Sequence, residues 1–217
     1  MDAKLLRILL LVANGLLLVM LVPRAWDYPI PGNDIGYTPV QPIRYSHRLH
    51  AGELGIGCLY CHSGADRSRH AGIPAASVCM NCHKFISAPL GAVKQEEELA
   101  KKENRAPRKI VAPEIHKLYL AQGLNDDAKP DASLTPTTIE WVKVHDLADF
   151  VYFDHRRHVN GGVDCLECHG PVDTMEVMRQ TNDLSMGWCL DCHRRLEGTV
   201  RKDRIVHPSL DCMNCHQ

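Results

Sequence analysis

Ten cysteines and five histidines in this chain share one spacing. They form the stretches "CLYCH" (58–62), "CMNCH" (79–83), "CLECH" (165–169), "CLDCH" (189–193) and "CMNCH" (212–216), and no cysteine is left over. Residues three apart share one face of a helical turn, so the two thiols of each stretch can reach the two vinyl groups of one porphyrin as thioethers. The histidine that follows then points its imidazole at the iron. This is the attachment pattern of haem c. Five copies predict five covalent haems on Cys58/Cys61, Cys79/Cys82, Cys165/Cys168, Cys189/Cys192 and Cys212/Cys215, with His62, His83, His169, His193 and His216 as proximal ligands. Other uses of cysteine fit less well. Structural zinc takes thiolates in fours, and five pairs is an odd number. A thioredoxin-like pair expects one motif in a βαβ setting. Disulfides do not require a histidine after every pair. No further metal is expected.

Five irons need five sixth ligands. Eight histidines lie outside the motifs: His47, His50, His70, His116, His145, His155, His158 and His207. Four of them form two pairs separated by three, in "YSHRLH" (45–50) and "FDHRRH" (153–158), and a Cys-Leu-x-Cys-His stretch follows each pair closely. Such repetition points to a duplicated unit, the second copy extended by one further motif. A pair of this spacing can serve two different haems. His145, ten residues before His155, is the candidate for the fifth distal position.

The arrangement resembles the small multihaem cytochromes of the c3/c7 type. In those proteins the first histidine of F-x-H-x-x-H ligates the haem of the next motif and the second reaches another haem. By that resemblance His47 caps the haem at His62, His50 that at His83, His155 that at His169 and His158 that at His193. His70 and His207 precede the motifs at 79 and 212 by nine and five residues and remain possible distal ligands, as in c7-type proteins. Met186, three residues before Cys189, is another, and its thioether would raise the potential of its haem. Met175 and Met178 are further thioethers, Met80 and Met213 read as packing residues, and His116 lies in the Cys-free region.

The elements that must position these groups follow from composition. The chain has 217 residues, a net charge of -1 and only 6% aromatics, so nothing suggests nucleic-acid binding, and a core built around haem is expected. Residues 1–22 read as an uncleaved membrane anchor: Leu5 to Val22 would span about 27 Å as a helix. Lys4 and Arg7 ahead of the apolar run give an N-in orientation, with the rest outside. Residues 23–44, rich in Pro and Gly, form an extended tether. The first haem block covers 45–90 and the second 141–217. Between them lies a Cys-free insertion, 91–140, with a charged helix around "KQEEELAKKEN" and a short helix in "APEIHKLYLAQG". No alternating strand pattern appears. The expected fold is mainly α and irregular: one transmembrane helix, then a haem-packed multihaem cytochrome c domain with little β-sheet.

The stretch Trp141 to Arg194, "WVKVHDLADFVYFDHRRHVNGGVDCLECHGPVDTMEVMRQTNDLSMGWCLDCHR", together with "SHRLHAG" and the single N-terminal anchor, resembles the pentahaem cytochrome subunit of alternative complex III. Ala148 departs from the proline expected before Asp149 and touches no ligand position. The resemblance implies an electron-transfer subunit, not a catalyst by itself, on the periplasmic side of the cytoplasmic membrane. Its implied partners are an iron-sulfur subunit, polytopic quinol-oxidising membrane subunits and a mono-haem cytochrome c, with a soluble cytochrome c or copper protein as acceptor. A stand-alone membrane-anchored quinol dehydrogenase feeding a periplasmic reductase is the alternative. A multihaem enzyme with an open haem is a third class, disfavoured because all five motifs end in His and spare ligands outnumber the irons.

Overall fold

The computed structural model describes residues 3–26 and 34–216. Helix α1 (Ala3–Trp26) is followed by a π-helical turn (Arg48–Glu53), then α2 (Cys58–Cys61), α3 (Ala76–His83), α4 (Leu90–Lys102) and α5 (Pro113–Ala121). The second block holds α6 (His155–Asn160), α7 (Cys165–His169), a 3-10 turn (Val172–Thr174), α8 (Met186–Leu196), a hairpin of β1 (Val200–Arg201) and β2 (Arg204–Ile205), and a 3-10 turn at Cys212–Asn214. The described chain is thus helical and irregular with little sheet, as composition and periodicity predict. Lys202 and Asp203 at the hairpin tip both take positive φ (46° and 60°), the turn geometry that matches strand twist.

Among the described residues no helix is long and apolar enough to cross a membrane. Helix α1 takes in all but residues 1–2 of the anchor expected over 1–22 and runs on through 23–26 of the expected tether; its side chains are described from Lys4 to Met20, and residues 27–33 of the tether lie outside the described residues. Within that stretch the apolar side chains are exposed, and Asn14 turns its amide back to the Leu10 carbonyl one turn earlier, at 2.8 Å.

The motif helices are one to three turns long, too short to stand alone. Local caps hold several of them. Asp164 and Glu167 make a capping box on α7, Asp154 caps α6 through the Arg156 amide (3.0 Å), and Ser185 caps α8 through the Trp188 amide (3.2 Å). Asp154 is also paired with the Arg156 guanidinium and is only 7% exposed.

The two haem blocks dock by exchange. The π-helical turn of the first lies on the 3-10 turn just after the first motif of the second, and the Arg48 amide donates to the Met175 carbonyl (2.8 Å). Reciprocally, α6 of the second block starts against the segment after the first motif of the first: the amides of His155 and Arg156 donate to the carbonyls of Arg69 (3.1 Å) and Ser68 (3.2 Å). Arg69 adds a hydrogen bond to the Phe153 carbonyl (3.2 Å) and stacks over the Tyr152 ring at 4.2 Å.

The Cys-free insertion supplies much of the buried apolar surface. Ala100, Leu118, Tyr119 and Ala121 are buried, together with Ala88 beside them in sequence. Pro113 opens α5 and Gly123 (φ +66°) follows its end. The insertion is tied to the first block where the Ala112 amide meets the Ser87 carbonyl (2.8 Å) and where the Tyr119 hydroxyl donates to the His83 carbonyl (2.6 Å). Tyr119→Phe leaves that carbonyl without its donor. A loss of about 1–3 kcal/mol is expected, read as a lowered thermal midpoint; an unchanged midpoint would mean that the bond contributes nothing.

Candidate haem-binding site

The duplicated His-x-x-His segments have duplicated geometry. Tyr45 stacks on His50 (4.4 Å between centroids, 25°) and meets His47 edge-on (4.9 Å, 85°). Phe153 does the same to His158 (4.5 Å, 29°) and His155 (4.8 Å, 86°). The second histidine of each pair engages the carbonyl four residues back through Nδ1: His50 with Ser46 (2.8 Å) and His158 with Asp154 (2.9 Å). One aromatic ring therefore sets the orientation of both imidazoles. Sequence reasoning assigned Tyr45 and Phe153 no role, although their recurrence two residues ahead of each pair is the signal for it.

Three pairs of imidazoles face one another at nearly equal separations. His50 and His83 lie 6.1 Å apart, His155 and His169 6.3 Å apart with their planes within 6°, and His158 and His193 6.1 Å apart. Two rings bound through nitrogen on opposite sides of one metal, at about 2 Å per bond, have centroids about 6.3 Å apart. Each facing pair is therefore spaced as the two axial ligands of one iron. His47 and His62 are also neighbours: burial first, and then His62 and His50, pull the His47 imidazole down to about 4.

Ring tautomers fit the same use. His62, His83 and His193 point Nδ1 at the carbonyls of Gly72 (2.6 Å), Ile86 (2.9 Å) and Ser209 (2.6 Å), and His155 points its own at Arg69 (2.9 Å). A carbonyl can only accept, so Nδ1 carries the proton and Nε2 keeps a lone pair for a metal. His47 differs, with Nδ1 buried and unpartnered. Burial also lowers His145, His158 and His169, the last to about 3, with neighbouring histidines adding to it, and neutral imidazole is the form that ligates.

The thiols are all free of disulfides, and those of different motifs neighbour one another pairwise. Burial and then Cys61 push Cys79 up, while Cys61 is raised by burial, Cys58 and Cys82. Cys165 is raised by burial and then by the nearby Cys58 across the block junction. Cys168 is pushed up to about 11 by burial and then Cys192, and Cys189 is raised by burial and then Cys215. The motifs therefore neighbour one another in the spatial order 79–83, 58–62, 165–169, 189–193, 212–216, and the junction between blocks is its middle step. Raised thiols are the opposite of what a redox-active pair needs.

Among the described residues no three His, Cys, Asp or Glu side chains converge as a metal-ion site. A tetrahedral zinc site takes four such donors, whereas a haem iron asks the protein for two. Exposed apolar side chains flank the motifs, among them Leu59, Tyr60, Phe85, Ile86, Leu166 and Met213, and suit the faces of a porphyrin. The residues present fit haem c.

Other expected ligands stand elsewhere. His145 meets His169 edge-on, with ring centroids 4.4 Å apart, and its Nε2 lies 3.3 Å from His169 Nδ1. His70 and His207 are exposed, the latter held by Glu197 (2.6 Å), and among the described residues neither makes a ring contact with a motif histidine. His116 is exposed and paired with Asp126 (2.6 Å). Met175 is buried core, at 4% exposure. Met186 opens α8, exposed, one turn before Cys189. The nearest ring to His216 is Phe150, at 5.7 Å.

Comparison with known proteins agrees with this chemistry. Residues 151–217 match the family described as cytochrome c7 and related cytochrome c. The chain is also similar to the multiheme cytochrome c subunit of a menaquinone reductase from Nitratidesulfovibrio vulgaris, with 27% identity over 154 residues, or 70% of this chain. It spans about half the length of that relative (55%). Residues 151–217 are thus similar to c7-type cytochromes, a likeness that agrees with covalently bound haem c as the cofactor.

Proposed function

We propose that the chain is a membrane-anchored pentahaem cytochrome that relays electrons between a quinone-reactive membrane partner and an acceptor or donor on the periplasmic side. The observation that carries this reading is the row of five motifs, three of them with imidazoles facing at 6.1–6.3 Å. Haem c, when bound, supplies a one-electron iron couple at each site. The protein's own residues anchor, orient and space the sites. Each cysteine pair would hold one haem covalently and each motif histidine would supply one ligand to its iron, while His47, His50, His155 and His158 would supply the second ligand to the haems at His62, His83, His169 and His193. With both ligands supplied by the protein, these sites would leave no open position for substrate, which favours a conductor over a catalyst.

Among the described residues no imidazole faces His216, and Met186 is the thioether proposed as the second ligand of its haem. It lies one turn of α8 ahead of Cys189, whose thiol neighbours Cys215 of the last motif. A thioether there gives the haem at His216 a higher potential than the bis-histidine sites. Met186→Ala is expected to abolish a sulfur-to-iron charge-transfer band and let one haem bind carbon monoxide, with all five haems retained. Unchanged spectra would exclude Met186 as a ligand.

Helix α1 serves as the anchor, N-terminus in, and the haem blocks stand outside the cytoplasmic membrane. The resemblance of the Trp141–Arg194 stretch to the pentahaem subunit of alternative complex III favours quinol as the electron source. Its partners would then be an iron-sulfur subunit, polytopic membrane subunits and a mono-haem cytochrome c. The name of the relative from Nitratidesulfovibrio vulgaris, a menaquinone reductase subunit, favours a second reading in which the same wire runs towards the quinone. A row of haems conducts either way, and the potentials of its partners set the direction. Gentle solubilisation of native membranes, recovery of this chain with whatever accompanies it, and assay of both quinol oxidation and quinone reduction distinguish the readings. Recovery with an iron-sulfur subunit and quinol-dependent reduction of a cytochrome or copper protein is the expected result. Recovery alone, with quinol oxidation intact, would make it a stand-alone dehydrogenase.

A further inference from the structure

His62, His83 and His193 anchor Nδ1 on main-chain carbonyls at 2.6–2.9 Å. His169 does not. Its Nδ1 faces Nε2 of His145 at 3.3 Å, and the two rings meet edge-on with centroids 4.4 Å apart, an arrangement in which one imidazole nitrogen donates along the lone pair of the other. His155 lies parallel to His169 with centroids 6.3 Å apart, the spacing of two ligands to one iron, so His169 already has an axial counterpart. His145 Nε2, committed to His169 Nδ1, is not available to an iron. The loop that carries His145 is itself held in place. Gln41 clamps Val142 from both sides of its amide, donating to the Val142 carbonyl and accepting from the Val142 nitrogen, each at 2.9 Å.

We infer that His145 is a positioning residue for the haem attached at Cys165 and Cys168, holding His169 through its Nδ1–H and setting the potential of that site. The inference rests on His169 being a proximal ligand. A proximal imidazole that donates Nδ1–H to a good acceptor is a stronger electron donor to its metal and stabilises the oxidised state. A main-chain carbonyl does this at a fixed strength, whereas a side-chain acceptor can be varied. The haem at His169 also stands at the middle of the row, at the junction of the two blocks, so its potential governs passage between them.

The test is a redox titration of the full-length, haem-loaded protein, with the haems resolved by their electron paramagnetic resonance signals, across His145→Leu, His145→Gln and His145→Glu. Leucine cannot accept, the glutamine carbonyl can, and carboxylate accepts most strongly. One of the five potentials should rise in the leucine variant, stay near its native value with glutamine and fall with glutamate. A tenfold change in the ferric-to-ferrous ratio at fixed potential is expected for the leucine variant, equivalent to about 59 mV for one electron. If the leucine variant does not accumulate with its haems, the ordering of glutamine and glutamate against the native protein carries the same test. Absence of that ordering would overturn the inference, as would a haem that turns high-spin and binds carbon monoxide in all three variants, which would make His145 an axial ligand. Intact mass of each variant reports separately on the underlying reading, since a chain without haem at Cys165 and Cys168 would remove the premise itself.

Discussion

His155→Ala should leave every haem covalently attached and open one of them. Cys165, Cys168 and His169 would still hold the porphyrin, but the ring that faces His169 at 6.3 Å, with planes within 6°, would be gone. About one fifth of the haem should then change from low-spin to high-spin and bind carbon monoxide, because among the described residues no other imidazole lies at axial spacing from His169. Since this site is the middle step of the row, electron transfer through the whole protein should fall far more than one fifth. The substitution also removes the Nδ1 bond to Arg69, one of the contacts between blocks. His155→Met, which restores a ligand but not that bond, separates the two effects: it should return the haem to low spin at a higher potential. Optical spectra with and without carbon monoxide check this. Five low-spin haems in His155→Ala would remove His155 from the ligand set.

Gly52→Ala should pull the blocks apart. Gly52 lies in the π-helical turn, and a Cβ there would fall well inside contact distance of the Asp173 carbonyl oxygen, a main-chain atom that cannot swing aside. Either the turn shifts, taking His47 and His50 with it, or the 3-10 turn at Val172–Thr174 does. Overpacking of this kind costs about 1–3 kcal/mol. Because the displaced turn carries two distal ligands, mixed spin states at the haems of His62 and His83 should accompany a lowered thermal midpoint. Gly57→Ala is the control, as its added Cβ meets open space. Equal stability of the two variants would show that the junction tolerates the added carbon.

The parts of this site written as side-chain spacings were legible in the sequence. Five Cys-x-x-Cys-His stretches prescribe five attachment points, and the pairs His47/His50 and His155/His158 fall where the resemblance to c3/c7 cytochromes puts distal ligands, with three of the four facing the expected partners at axial spacing. Pro113 and Gly123 bounded a helix that the structure contains. Main-chain groups were not legible. The carbonyls that orient the motif histidines, such as Gly72, Ile86 and Ser209, are brought there by loop geometry, and any residue type has a carbonyl to offer. Nor did local pattern reveal the exchange between blocks, which depends on chain segments more than eighty residues apart. His145 shows the limit most clearly. Its identity marked it as a ligand candidate, but only the fold reveals that its Nε2 faces another imidazole. The insertion was read as a Cys-free linker, yet its apolar side chains, Leu118 and Tyr119 above all, pack tightly and brace the His83 loop.

The central claim is that all ten cysteines carry haem, and intact mass of the denatured full-length chain tests it most directly. Thioether bonds survive denaturation, so the account predicts the polypeptide plus five haems as a single dominant species. A chain at its bare polypeptide mass, or one carrying fewer than five haems when isolated from its native membranes, would contradict it.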